Sequence, residues 1–107
     1  MKTALIYCHR SNGGKPTDHT HTEWCERVEV LQSFSLNQES FFVYRNRDGS
    51  LNVTHRPSGL GAGSVFASTA AAAFKRRKTV ILANWAAIQA ATPLASRGPL
   101  PVIERTK

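Results

Sequence analysis

The sequence predicts an α+β fold: a small antiparallel β-sheet packed by an Ala-rich C-terminal helical region at about residues 64–92. Three observations lead there. A hairpin signal spans residues 40–55, where two strand-like runs flank Asn46-Arg47-Asp48-Gly49. Twelve of the thirteen alanines lie between Ala62 and Ala95, and alanine is the residue that enters a helix at least cost. The length, 107 residues, suits one domain and is short for a doubly wound nucleotide enzyme or a barrel. Residues 1–92 are expected to form that domain, with residues 93–107 as a tail containing Gly98, Pro99 and Pro101.

Along the chain, Thr3–Cys8 reads as a first strand, ended by the turn-forming run Ser11-Asn12-Gly13-Gly14-Lys15-Pro16. The segment Glu23–Ser33 supports two readings. Thr20-His21-Thr22-Glu23 fits a capping box, in which a hydroxyl and a carboxylate satisfy the orphan amides at a helix start. Trp24, Val28 and Leu31 then follow at helical spacing, so a helix is the favoured expectation. The alternation in Arg27-Val28-Glu29-Val30 equally suits a strand.

The hairpin is the firmest element. Phe41 and Val43 share one face of Ser40–Arg45, Leu51 and Val53 share one face of Ser50–His55, and Asp48-Gly49 supplies the positive φ of a tight turn. Arg56-Pro57 ends the pairing, because proline lacks the ladder donor. Gly59-Leu60-Gly61-Ala62-Gly63 then reads as a linker, and Ser64 or Ser68 can cap the helix that follows.

Within the helical region Ala67, Ala70, Phe74, Ile81, Trp85 and Ile88 project onto one side, an apolar stripe that suits burial. A single helix over 66–91 would be about 39 Å long. The alternative ends the first helix at the basic cluster, makes Thr79–Leu82 a buried strand and restarts with Asn84 as N-cap. Pro93 closes the helical region in both versions, and Val102 with Ile103 could add an edge strand. The spacing of Phe74, Ile81, Trp85 and Ile88 also permits a homodimer seam.

The formal net charge is +7, with 41% hydrophobic and 20% charged residues, which excludes a disordered polyelectrolyte and a membrane span. The charge is unevenly placed. Residues 1–65 carry +1 and residues 66–107 carry +6, and no carboxylate stands between Gly49 and Ile103. The apolar run near the N-terminus is too short for a secretory h-region, and two cysteines make no disulfide scaffold, so the expected location is cytoplasmic.

Four constellations could carry chemistry. Cys8, His19, His21 and Cys25 have the side chains zinc prefers, but they lack a CxxC and match no established zinc spacing. No cofactor is therefore expected, with zinc as the one candidate. Gly13-Gly14-Lys15 could cradle an anion, although His9 and Pro16 stand where a P-loop needs Gly and Ser/Thr. Tyr7-Cys8-His9-Arg10-Ser11, with the strand before it, resembles the start of the serine recombinase catalytic domain over residues 3–11. That resemblance implies Ser11 as nucleophile, but His9 stands where the family has an arginine.

The fourth is Lys75-Arg76-Arg77-Lys78. Consecutive helical residues spread around the axis, so these four cannot all meet one ligand. Lys75 and Arg76 are expected to face solvent, with Arg77 and Lys78 flanking the stripe. Arg45, Arg47 and Arg56 of the hairpin could extend the patch, with Lys15 as a further anion-binding candidate and Tyr44 or Phe42 as stacking surfaces. The expected function is non-enzymatic binding of an anionic partner, nucleic acid or a nucleoprotein complex, without a membrane. The alternative is a small inhibitor of the phage or mobile-element (anti-CRISPR) kind that occludes a host protein.

Overall fold

The computed structural model describes residues 2–9 and 22–104. They form three layers: a helix, a four-stranded sheet and a three-stranded sheet. The strands are β1 (Thr3–His9), β2 (Glu23–Glu29), β3 (Gln32–Leu36), β4 (Glu39–Arg45), β5 (Leu51–His55), β6 (Gly61–Val65) and β7 (Val102–Glu104). The helices are α1 (Ala70–Ala83) and α2 (Trp85–Ala90), followed by a 3-10 turn at Leu94–Arg97. The larger sheet has the order β3-β4-β5-β6 and the smaller β1-β2-β7. The fold is α+β, as the hairpin and the alanine-rich stretch predict. Among the described strands the one departure from antiparallel pairing is β7, which runs parallel to β2.

Alternation along β4 builds both cores. Phe41 and Val43 face α1, and with Leu51, Val53, Ala73, Phe74 and Ile81 they form one buried cluster. Phe42 and Tyr44 face the other way and pack with Ile6 and Val28 of the smaller sheet. A strand buried on both faces reads as a continuous apolar run, and Phe41-Phe42-Val43-Tyr44 is such a run. The expectation that Tyr44 or Phe42 offers an exposed stacking surface is therefore overturned, since both rings lie between the sheets.

Glu23–Ser33, favoured above as a helix, is instead β2 and the start of β3. Trp24, Glu26 and Val28 share a buried face at strand period, and the pairing of Tyr7 with Cys25 fixes the register against β1. Tertiary pairing with β1 outweighs a local capping signal. The chain then turns a corner at Val30-Leu31, where Val30 N–H donates to the Lys2 carbonyl and Leu31 N–H to the Val43 carbonyl. Each of those two bonds belongs to a different sheet.

The β4–β5 hairpin forms as its turn residues dictate. Gly49 has φ +90°, Asn46 N–H donates to the Ser50 carbonyl at 2.8 Å, and Asp48 Oδ1 accepts from Ser50 N–H at 2.9 Å. The β3–β4 turn uses Asn37 and Gln38, both at positive φ. No glycine marks it, and the sequence reading passed over it.

The glycine-rich stretch expected as a linker is largely β6, an edge strand beside β5. Gly59, at φ +70°, joins the two sheets: its carbonyl accepts from Tyr7 N–H at 2.9 Å. A Cβ there would come within 2.8 Å of that same nitrogen, so only glycine lets the backbones approach so closely.

The helix N-cap is Thr69, whose hydroxyl accepts from Ala72 N–H at 3.1 Å, rather than Ser64 or Ser68. The helical region is neither one helix nor helix–strand–helix. Thr79–Leu82 is helical, and the break falls at Asn84, whose side-chain amide donates to the Val80 carbonyl at 2.9 Å and competes with the backbone ladder. Lys75–Lys78 accordingly lies mid-helix, and the last turn of α1 holds no basic residue, so these cations do not offset the helix dipole. Among the described residues no helix is long and apolar enough to cross a membrane.

Candidate anion-binding surface

The basic cluster divides in two. Arg77 lies on the side of α1 turned to the larger sheet, where Nε donates to the Ala62 carbonyl at 3.1 Å. Its guanidinium rests against Gly63, at φ +106°, and a Cβ there would lie 2.6 Å from Cζ. Gly63 of β6 thus makes room for a guanidinium between helix and sheet. Lys75, Arg76 and Lys78 are exposed. Arg76 is anchored by its guanidinium, one terminal nitrogen donating to the Phe66 carbonyl at 2.7 Å. No ion pair involving α1 occurs among the described residues, in keeping with a chain that has no carboxylate from Ser50 to Ile103.

The hairpin arginines do not gather into one patch. Arg45 stands opposite Leu51, which in turn pairs with Val65 of β6. That row places Arg45, and Arg47 of the adjoining turn, at the same end of the larger sheet as Phe66 and the Arg76 brace. Arg45 itself donates to the Gly49 carbonyl at 3.1 Å. Arg56 lies five positions beyond Leu51, about 16 Å away at 3.3 Å per residue, at the opposite end. Its Cζ sits 5.0 Å from the Phe42 ring centroid and its guanidinium donates to Ser33 Oγ at 2.9 Å. Lys15 lies outside the described residues, as do His19, His21, Ser11 and the Gly13-Gly14 loop.

The cysteines face apart. Cys8 is opposite Trp24, on the face turned to the larger sheet, where its thiol donates to Glu26 Oε2 at 3.7 Å. Cys25 is opposite Tyr7, on the other face. One tetrahedral ion cannot take both thiolates from opposite sides of a sheet. Among the described residues no group of three His, Cys, Asp or Glu side chains converges to hold a metal. Burial pushes the Cys25 thiol up from its ordinary value, against the opposing charge of Arg97. A nucleophilic cysteine needs the reverse shift.

On that outer face of the smaller sheet, Arg97 lies over Tyr7, with Cζ 4.1 Å from the ring centroid. Burial raises the Tyr7 phenol, and a hydrogen bond to Glu23 and the charge of Glu23 add to the shift, while Arg97 works against it. His9 approaches Glu23 at 3.9 Å. Arg97 reaches this place from the C-terminal segment, which docks through Leu94 N–H on the Pro57 carbonyl at 2.9 Å.

One constellation escaped the sequence reading. His55 Nε2 lies 2.5 Å from Glu39 Oε1, and His55 Nδ1 lies 2.7 Å from Ser58 Oγ. Serine, imidazole and carboxylate in series are the parts of a hydrolase triad. Here, however, Ser58 is 0% exposed and its hydroxyl accepts from Leu60 N–H at 3.2 Å. No acyl group can reach that oxygen, and the series ties the β5–β6 loop to β4. Its only sequence trace is a serine three residues after a histidine, which carries no signal without the fold.

Phe74 and Ile81 are buried against the chain's own sheet, and Trp85 and Ile88 pack beside them half-buried. No family model matches this chain, and no curated protein or solved structure is similar to it.

Proposed function

We propose that the protein is a non-catalytic binding module whose exposed α1 face engages an anionic polymer, nucleic acid or its complex with protein. The observation that carries this reading is electrostatic. Lys75, Arg76 and Lys78 project from one rigid helix, and the nearest carboxylates in sequence are Asp48 and Glu104. A surface of one sign concentrates counter-charged polymers and speeds their encounter. Rigid mounting matters as well, because α1 is fixed by Phe74 and Ile81 in the core and the backbone that carries the cations does not have to be ordered on binding.

Counterion release supplies the test. Three phosphate contacts give a salt slope of about −2.1 to −2.7, so raising salt from about 50 to 200 mM should weaken binding roughly 20- to 40-fold. Fluorescence anisotropy of a labelled oligonucleotide measures this. Affinity that does not fall with salt, or no binding of any polyanion at low salt, would overturn the reading. Capture of a host protein that survives nuclease treatment, with no oligonucleotide binding, would replace it with the inhibitor alternative.

A further inference from the structure

We infer that the polymer is single-stranded, with an unpaired base stacking on Phe66 beside the α1 cations; this rests on the binding face proposed above. Among the described residues Phe66 is the most exposed large hydrophobic side chain, at 68%. Its neighbours show why. Val65 and Ala67 both pack against the core, so in extended backbone the residue between them points away from it. The ring cannot join the core without a one-residue slip that would expose its two neighbours.

An exposed phenylalanine is unremarkable alone. The second observation is what sits against it. Arg76 donates to the backbone carbonyl of Phe66 itself at 2.7 Å, which holds a guanidinium at that residue's backbone. Lys75 precedes Arg76 on α1, and the row Val65–Leu51–Arg45 brings Arg45 and Arg47 of the hairpin to the same end of the sheet. Arg45 is two strands away, about 10 Å. An exposed aromatic ring with cations along the same end of the sheet is what a flexible strand of bases and phosphates fits. A duplex keeps its bases stacked inside and offers an exposed ring mainly phosphates, with no base face to stack on.

The experiment compares a labelled oligothymidylate with the same length of duplex at about 50 mM salt, using the full chain. The native protein should favour the single strand. Phe66→Ala should weaken single-strand binding roughly five- to hundredfold, in the range of one lost stacking partner, and leave duplex binding unchanged. Phe66→Trp should retain the preference, and its added fluorescence should be quenched by the single strand and not by the duplex. Because the side chain is exposed, both variants keep the fold. A Phe66→Ala variant that loses both forms equally, or neither, overturns the single-strand assignment. If Lys75→Ala with Lys78→Ala weakens both forms in that case, the binding face stands and only the stacking role falls. If no oligonucleotide binds the native protein, both fall together.

Discussion

The two faces of the larger sheet are covered in different ways. On one side α1 lies over an apolar, aromatic layer in which Phe34 stacks on Phe74 at 4.4 Å between centroids and Phe41 tilts against Phe74 at 5.9 Å. On the other side the smaller sheet brings apolar Ile6 and Val28 to Phe42, but with them the buried carboxylate of Glu26, which accepts from Trp24 Nε1 at 3.3 Å and from the Cys8 thiol. Its outer face is polar again, held by Arg97 on Tyr7 and by Arg27 Nε on Glu104 Oε1 at 3.1 Å. The helix side is secured by hydrophobic burial, which grows with area and tolerates imprecision. The small-sheet side depends on particular polar partners arriving from remote parts of the chain, and the fold is specified there by geometry rather than by pattern.

The largest effect is expected on the helix side. Phe41 is wholly buried between β4 and α1, and Phe41→Ala should cost about 3–5 kcal/mol, read as a lowered urea midpoint at unchanged slope. A loss under 1 kcal/mol would mean that the aromatic layer is not the core. Next comes the joint between the sheets. Gly59→Ala forces a Cβ against the Tyr7 backbone in left-handed conformation and should cost about 2–4 kcal/mol. Hydrogen exchange should then show early opening of β1 with the helix layer still protected.

A smaller effect separates the sides by pH. The Cys25 thiol and the Tyr7 phenol are both raised above their ordinary values of 9.0 and 10.0. The folded chain therefore holds these protons longer than the unfolded chain. Their contribution to stability is complete below the ordinary values and is lost as pH rises through the folded ones. Urea midpoints measured from about pH 8 to pH 11 should fall, and Cys25→Ala should flatten part of that fall. A midpoint that rises over this interval would contradict the shift. The smallest effect belongs to Arg27, whose pairing with Glu104 is exposed. Arg27→Ala should change stability by about 0–1 kcal/mol.

The same division explains what the sequence could show. Apolar alternation at 40–55 and the stripe from Phe74 to Ile81 are local repeats, and they led directly to the hairpin, the helix and their contact. Glu23–Glu29 was ambiguous because its pattern fits both periods, and pairing with β1 decided between them. Gly59–Gly63 reads as a linker because what two of its glycines make room for, the Tyr7 backbone at Gly59 and the Arg77 guanidinium at Gly63, comes from other elements. The candidate surface was legible in part. The charge asymmetry drew attention to residues 75–78, yet only the fold separates Arg77, which braces β6, from Lys75, Arg76 and Lys78, which face solvent. Phe66 went unnoticed because nothing in its own residue type shows that both neighbours turn inward.

The central claim is that the exposed cations of α1 bind an anionic polymer, and the most direct measurement is the salt dependence of oligonucleotide affinity in the native protein against Lys75→Ala/Lys78→Ala. Removing two phosphate contacts should make the slope shallower by about 1.4–1.8 and lower the affinity at about 50 mM salt, with the thermal midpoint unchanged because both side chains are exposed. An unchanged slope and affinity in the double variant would contradict it.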